Sequence, residues 1–252
     1  MTGRFDSKTI LVTGGAGGIG DAICRRFAQE DGFVWIIDAN AEAAAALAKS
    51  IRDAGGKADY RAIDLTDSQA IHAVVNDISA QGWAIDVVCN NAGLMRRGSL
   101  LELTNEDWSL SFKVNVDALF HMCQAVIPIM QKQGGGAIVN TASQWGLHPA
   151  PGHIAYNTTK AAVVAFTKNL ARDYAPDKIR VNAVAPGEVR TPMLESNLAR
   201  TGRSLDDLNA LVPYGRIGDP EEIAALITFL ASDEAGYLCG AVVEITGAQA
   251  VA

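Results

Sequence analysis

Five of the seven residues from Gly14 to Gly20 are glycine, and they stand between two apolar runs. Lys8 to Thr13 is short, rich in branched residues and ends at the glycines, the pattern of a buried strand. A helical pattern runs from about Gly18 to Asp31, and Phe33 to Asp38 is a second buried strand. A glycine cluster at a strand–helix junction allows a tight turn, close approach of the backbone to a ligand, and close helix–sheet packing. The helix that follows offers free N–H groups and a partial positive charge to a phosphate. The cluster therefore reads as a dinucleotide-binding turn within a strand–helix–strand unit. Two registers fit: Gly15, Gly17 and Gly20 at G-x-G-x-x-G spacing, or Gly14, Gly18 and Gly20 with three residues between the first two glycines.

Asp38 ends the second strand, about twenty residues past the glycines. An acid there accepts from adenosine ribose hydroxyls and repels a 2′-phosphate, which points to NAD. Capping of the helix that begins near Asn40 is the competing role. The alternation then continues. Strands are expected over Lys57 to Ile63, Ile85 to Asn90, Gly136 to Thr141, Lys178 to Val184 and Ala241 to Thr246. Helices are expected between them, including one long helix from about Thr104 to Lys132, one from Tyr156 to Tyr174, and one started by Asp219-Pro220-Glu221-Glu222. Regular strand–helix alternation implies an α/β fold with a doubly wound, Rossmann-like parallel sheet. No linker or repeat interrupts the 252 residues, so one domain over 1–252 is expected. Ligands of such sheets bind outside the carboxyl ends of the strands.

Tyr156 and Lys160 are four residues apart, on one face of an expected helix. A phenol has a pKa of about 10 and is a poor base at neutral pH. Lowering it by roughly 3 needs about 4 kcal/mol of differential interaction, part of which a neighbouring ammonium supplies. A second positive charge, such as an oxidised nicotinamide, would supply more.

Together these residues resemble the short-chain dehydrogenase/reductase family along essentially the whole chain. Thr13-Gly14-x-x-x-Gly18-Ile19-Gly20 is similar to its cofactor loop, Asp64-Leu65 to its adenine contact, and Asn90-Asn91-Ala92-Gly93 to its fourth-strand signature. Asn115 falls where the family has its helix asparagine, Ser143 lies thirteen residues before Tyr156, and Tyr156-x-x-x-Lys160 matches the catalytic pair. Val181 to Gly187 and Thr191-Pro192-Met193 resemble the nicotinamide-side segment. The resemblance implies Ser143, Tyr156, Lys160 and Asn115 as catalytic residues. It implies a cofactor site built from Gly14, Gly17, Gly18, Ile19, Gly20, Asp38, Asp64, Leu65, Asn91, Ala92, Gly93, Tyr156, Lys160, Pro186, Gly187, Val189 and Thr191. In that scheme Tyr156 removes the alcohol proton, Ser143 steadies the substrate oxygen, Lys160 depresses the Tyr156 pKa, and Asn115 supports a water chain. The segment Val243 to Ala248 departs from the aspartate and paired glycines of many relatives.

The pocket is expected from the loop after Gly93, from Gln144 to His153, and from Glu188 to about Leu211. Arg96, Gln144, Trp145, His153 and Glu188 are the candidate substrate residues. So polar a lining favours a sugar, polyol or sugar acid over a lipid. The alternatives are a 3-oxoacyl carrier-protein reductase, against which Asp38 and the lack of a basic patch count, and a non-catalytic NAD-binding regulator. A net charge of −7 argues against a nucleic-acid partner, and no apolar run is long enough for a bilayer. The polar Met1 to Ser7 stretch is not a signal peptide, and four scattered cysteines form no metal-site spacing. A cytoplasmic, metal-free enzyme is expected. The family implies a homotetramer, with Trp108, Phe112, Leu119, Phe120, Val163, Phe166 and Leu170 as apolar faces for assembly or core.

Overall fold

A computed structural model describes residues 3–192, 194–195, 198 and 202–249. Its centre is a seven-stranded, wholly parallel sheet in the order β3-β2-β1-β4-β5-β6-β7. The strands are β1 (Thr9–Thr13), β2 (Phe33–Asp38), β3 (Lys57–Ala62), β4 (Val87–Asn90), β5 (Gly136–Thr141), β6 (Ile179–Pro186) and β7 (Val242–Ile245). The chain winds outward from β1 to β3, then crosses back to place β4 against the other side of β1. The order therefore reverses between β1 and β4, which opens a crevice at their carboxyl ends, Thr13 and Asn90.

Strand residues alternate between the two faces. Ile10, Val12, Val34 and Ile36 pack under α1 (Gly18–Gln29), α2 (Ala41–Asp53) and α8 (Pro220–Ala231). Leu11, Trp35, Ile37, Val88 and Ile138 pack under α3 (Ser68–Ala80), α5 (Ala118–Gln133) and α6 (Ile154–Tyr174). Both faces being covered, the strands are apolar on both sides, which is why they read as continuous runs rather than alternating ones.

The expected long helix from Thr104 is not continuous. Helix α4 (Asn105–Phe112), capped by Thr104 Oγ1 accepting from Asp107 N, gives way to a π-helical turn at Lys113–Asp117 before α5. Asn115 sits inside that turn. Its Oδ1 accepts from Leu94 N at 2.8 Å, and its Nδ2 donates to Leu94 O and Thr159 Oγ1, each at 3.0 Å. The π turn thus carries the residue whose side chain reaches the loop after β4. A short helix α7 (Leu205–Asn209), with a Ser204–Asp207 capping box, was not anticipated.

The glycine turn shows which register the fold needs. Gly14 (φ +59°) and Gly18 (φ +47°) hold left-handed conformations. A Cβ on Gly14 would lie 2.8 Å from Ala92 Cα, and one on Gly20 would lie 2.0 Å from the Gly14 carbonyl oxygen. A Cβ on Gly17 meets nothing within 4 Å. The demanding positions are thus Gly14, Gly18 and Gly20. Gly20→Ala is expected to cost about 2 kcal/mol or more through overpacking, while Gly17→Ala costs under about 1 kcal/mol. Urea unfolding checks this, and equal effects would contradict the assignment.

Candidate active site

The glycine turn, the Asn90–Gly93 stretch, the loop after β6 and the start of α6 converge on the crevice. Thr13 Oγ1 accepts from Asn91 N (3.1 Å) and Ala92 N (3.2 Å), while Asn91 Nδ2 donates to the carbonyls of Thr13 and Gly14. These bonds lock the end of β4 to the glycine turn. Thr191 covers Gly18: a Cβ there would meet Thr191 Cγ2 at 3.1 Å. Val189 is buried and bridged to Gly218, and Gly187 N donates to Ile245 O at 3.0 Å. Met193 lies outside the described residues.

The N-terminus of α1 has no side-chain cap, and a cleft lined by Ala16, Gly17, Gly18, Asp21 and Pro192 opens over it. Open space before Gly17 and an uncapped helix start fit a phosphate group. Asp38 stands at the end of β2, its Oδ2 accepting from Ala16 N (3.0 Å) and its Oδ1 from Asn40 N (2.9 Å). Capping of α2 falls to Asn40, whose Oδ1 accepts from Ala43 N. Asp38 is therefore fastened to the glycine turn, where a dinucleotide's ribose would meet it. Asp64 holds its own turn by accepting from Thr66 N and Oγ1, both at 2.8 Å. Half-buried Leu65 joins Thr13, Ala92 and Asn115 around a small cavity beneath the β4 end.

Ser143, Tyr156 and Lys160 come together at the far side of the crevice. Ser143, 7 % exposed, follows β5 and caps a 3₁₀ turn over Gln144–Gly146, its Oγ accepting from Trp145 N at 3.2 Å. It also shares a hydrogen bond with the Tyr156 phenol. Lys160, 3 % exposed, donates from Nζ to Thr141 O at 2.7 Å, and its Nζ lies 5.7 Å from the Tyr156 ring centre. The side-chain-free face of Gly93 lets Lys160 and Asn115 approach: a Cβ there would meet Lys160 Nζ at 3.3 Å and Asn115 Oδ1 at 3.4 Å.

The electrostatics correct one expectation. Burial pushes the Tyr156 phenol up to about 12, with the Ser143 hydrogen bond pulling down and the Glu188 charge adding to the rise. The phenol of the free protein thus stands above its ordinary value, not below it. Burial also pushes Lys160 down, to about 8. In the protein alone both groups favour their neutral forms more than in water, because burial strips hydration from the charged forms.

Residues 8–201 match the sequence profile of the family described as short chain dehydrogenase. The chain belongs to that family. The 3-oxoacyl-[acyl-carrier-protein] reductase FabG of Thermotoga maritima is 41% identical over 244 residues, covering 97% of this chain and 98% of that protein. The D-threitol dehydrogenase of Mycolicibacterium smegmatis is 38% identical over 248 residues, covering 98% and 95%. The crystal structure of L-sorbose reductase from Gluconobacter frateurii, complexed with NADPH and L-sorbose, matches with a TM-score of 0.93 at 28% identity, covering 99% of this chain and 98% of that one. This short-chain dehydrogenase is thus an oxidoreductase of a nicotinamide-using family. Among the described residues no helix is long and apolar enough to cross a membrane.

Of the candidate substrate residues, the dehydrogenase brings Trp145, His153 and Glu188 to Tyr156. The Trp145 indole lies 6.0 Å from the phenol ring, edge on, and 4.6 Å from the His153 imidazole. Gln144, beside Ser143, is buried, and its Nε2 donates to Gln249. Arg96 does not join them. Its Nε pairs with Asp107 of α4 at 2.9 Å, both side chains solvent-exposed. Arg97 is the arginine whose charge acts on Glu188 and His153. Loop residues have no periodicity from which to choose between adjacent arginines. Gln249 carried no sequence signal, because only the tertiary path of the chain brings it back to Gln144.

The buried ammonium gives a pH signature. Unfolded lysine titrates near 10.5 and Lys160 near 8. Between these values the unfolded state holds a proton that the folded state has shed, so stability rises with pH across that window. Lys160→Met removes the effect. In urea unfolding, wild type is expected to gain on Lys160→Met between pH 8 and 10; a constant difference would contradict the burial.

Proposed function

We propose that this dehydrogenase interconverts a secondary alcohol and a ketone, with Ser143, Tyr156 and Lys160 as the reacting site and NAD as hydride partner. The observation that carries the reading is the joining of the Ser143 hydroxyl and Tyr156 phenol over a buried Lys160, next to the glycine turn. Bound NAD supplies the hydride acceptor at its nicotinamide ring and a positive charge. Asp38, Gly14 to Gly20, Asn91 to Gly93 and Pro186 to Thr191 would hold it, with Asp64 and Leu65 at the adenine end. Ser143 donates to the substrate oxygen and steadies the charge that develops there. Tyr156 takes the hydroxyl proton as the carbonyl forms. Lys160 orders the phenol's surroundings and lends positive charge, and Asn115 fixes the Gly93–Leu94 loop beside it.

The substrate read from the wall at Trp145, His153 and Glu188 is a sugar, polyol or sugar acid. The named activities of the D-threitol and L-sorbose enzymes support this reading. A second reading, reduction of a 3-oxoacyl carrier protein, is favoured by the 41% identity to the Thermotoga enzyme. Asp38 favours NAD, although the sorbose reductase structure holds NADPH. A cytoplasmic homotetramer completes the proposal. Trp108 and Phe120 stand 38% and 45% exposed for assembly, whereas Leu119 and Val163 are spent in the core.

Two measurements test this. Tyr156→Phe is expected to lower kcat at least about 10³-fold while NADH binding, followed by its fluorescence, changes only a few-fold. Retained turnover would sink the assignment. Asp38→Ser is expected to raise the NADP-to-NAD ratio of kcat/KM at least about tenfold, because it removes the charge opposing a 2′-phosphate. An unchanged ratio in steady-state assays would refute the cofactor choice.

A further inference from the structure

Two buried acceptors beside the reacting site have no donor among the described residues. Gln144 is 2% exposed, and its Nε2 donates to Gln249 Oε1 at 2.9 Å. Its Oε1 is left buried and unpartnered. That oxygen faces Gly187, where an added Cβ would come within 3.3 Å of it. His153 is fixed in a similar way. The carbonyl of Pro151 lies 2.8 Å from Nδ1 and can only accept, so Nδ1 carries the proton of the neutral ring. Nε2 is then a bare lone pair, also buried without a partner. Burial favours that neutral ring by pushing the His153 pKa down, and the Arg97 charge acts in the same direction.

The third group is Glu188. Its carboxyl is held above its usual range by burial, against the pull of Arg97 and Arg203. Both arginines are exposed, and Glu188 is the charged side chain that acts on the Tyr156 phenol. A buried acceptor without a donor costs about 1–3 kcal/mol. Two of them, with a carboxylate, around one catalytic phenol are explained by a ligand that brings the donors.

We propose that Gln144, His153 and Glu188 form an acceptor wall that selects an uncharged polyol or sugar over the corresponding sugar acid. The proposal rests on the reading of Ser143, Tyr156 and Lys160 as the reacting site. Successive hydroxyls of a polyol each have a proton to donate. An ionised sugar acid has a carboxylate that can only accept, and it would meet unpaired acceptors and the Glu188 charge. Sites built to bond a substrate's donors reject analogues that lack them, because the buried partners stay unmet. The same argument disfavours a thioester, whose oxygen and sulfur both lack protons.

Binding to the wild-type protein saturated with NADH tests this without turnover, since alcohol and reduced cofactor do not react. Calorimetry at pH 7 compares a hexitol and a tetritol with the aldonates of the same length. The expected result is at least about tenfold tighter binding of the polyol. Glu188→Gln should shrink that ratio by about fivefold or more, chiefly by improving aldonate binding. His153→Phe, which removes the acceptor and keeps a ring against Trp145, should weaken the polyol and leave the aldonate little changed. NADH binding reports that each variant is folded. Equal or tighter aldonate binding, an unaltered ratio in both variants, or binding of neither compound would overturn the proposal. If the polyol binds as expected but no alcohol reduces NAD, the hydride-transfer reading fails while the acceptor wall stands.

Discussion

Lys160 is a cation buried inside the protein and held by a backbone carbonyl, Thr141 O. Much of the site follows from that bond. Thr141 is the last residue of β5, so the ammonium is anchored to the sheet and α6 is fixed above it. The same helix carries Tyr156 one turn earlier and Thr159 beside it, and Thr159 Oγ1 accepts from Asn115. Asn115 in turn holds Leu94, which ends the stretch that Thr13 fastens to the glycine turn. A chain of short polar contacts thus runs from the glycine turn to the phenol. Desolvation makes each link costly to break, which keeps the geometry in place.

The price of that arrangement is a reluctant base. With the phenol near 12, full ionisation at neutral pH needs on the order of 7 kcal/mol of added stabilisation. Lys160, itself pushed down to about 8, cannot supply it alone. In the proposed reaction an oxidised nicotinamide would bring a positive charge into the same low-dielectric space, where it acts more strongly than in water. Proton removal would thereby be tied to the presence of the cofactor that takes the hydride.

The layout of the fold was legible in the sequence, because buried parallel strands read as apolar runs stopped by glycine or proline. Strands β2 and β5 have the expected bounds, Phe33–Asp38 and Gly136–Thr141. One turn and one helix carry Ser143, Tyr156 and Lys160, so local spacing was enough to place them on one side of the crevice. What did not show was decided by contacts between distant parts of the chain. The π turn at Asn115 comes with hydrogen bonds to the N–H and carbonyl of Leu94, and nothing near Asn115 in sequence announces them. The choice of Arg97 over Arg96 depends on the path of one loop, and the Gln144–Gln249 contact joins residues over a hundred positions apart. Desolvation of Tyr156 was hidden for the same reason: burial is a property of the assembled fold.

The central claim is that a bound positive charge converts Tyr156 from a protonated phenol into a base. Ultraviolet difference titration of tyrosine ionisation, in the free protein and in its NAD complex, tests this directly. Subtraction of the Tyr156→Phe titration isolates the signal of the one residue. The account predicts a Tyr156 pKa near 12 in the free protein, lowered by about 2 or more when NAD is bound and by much less with uncharged NADH. A Tyr156 pKa that is the same in the free protein and both complexes would contradict it.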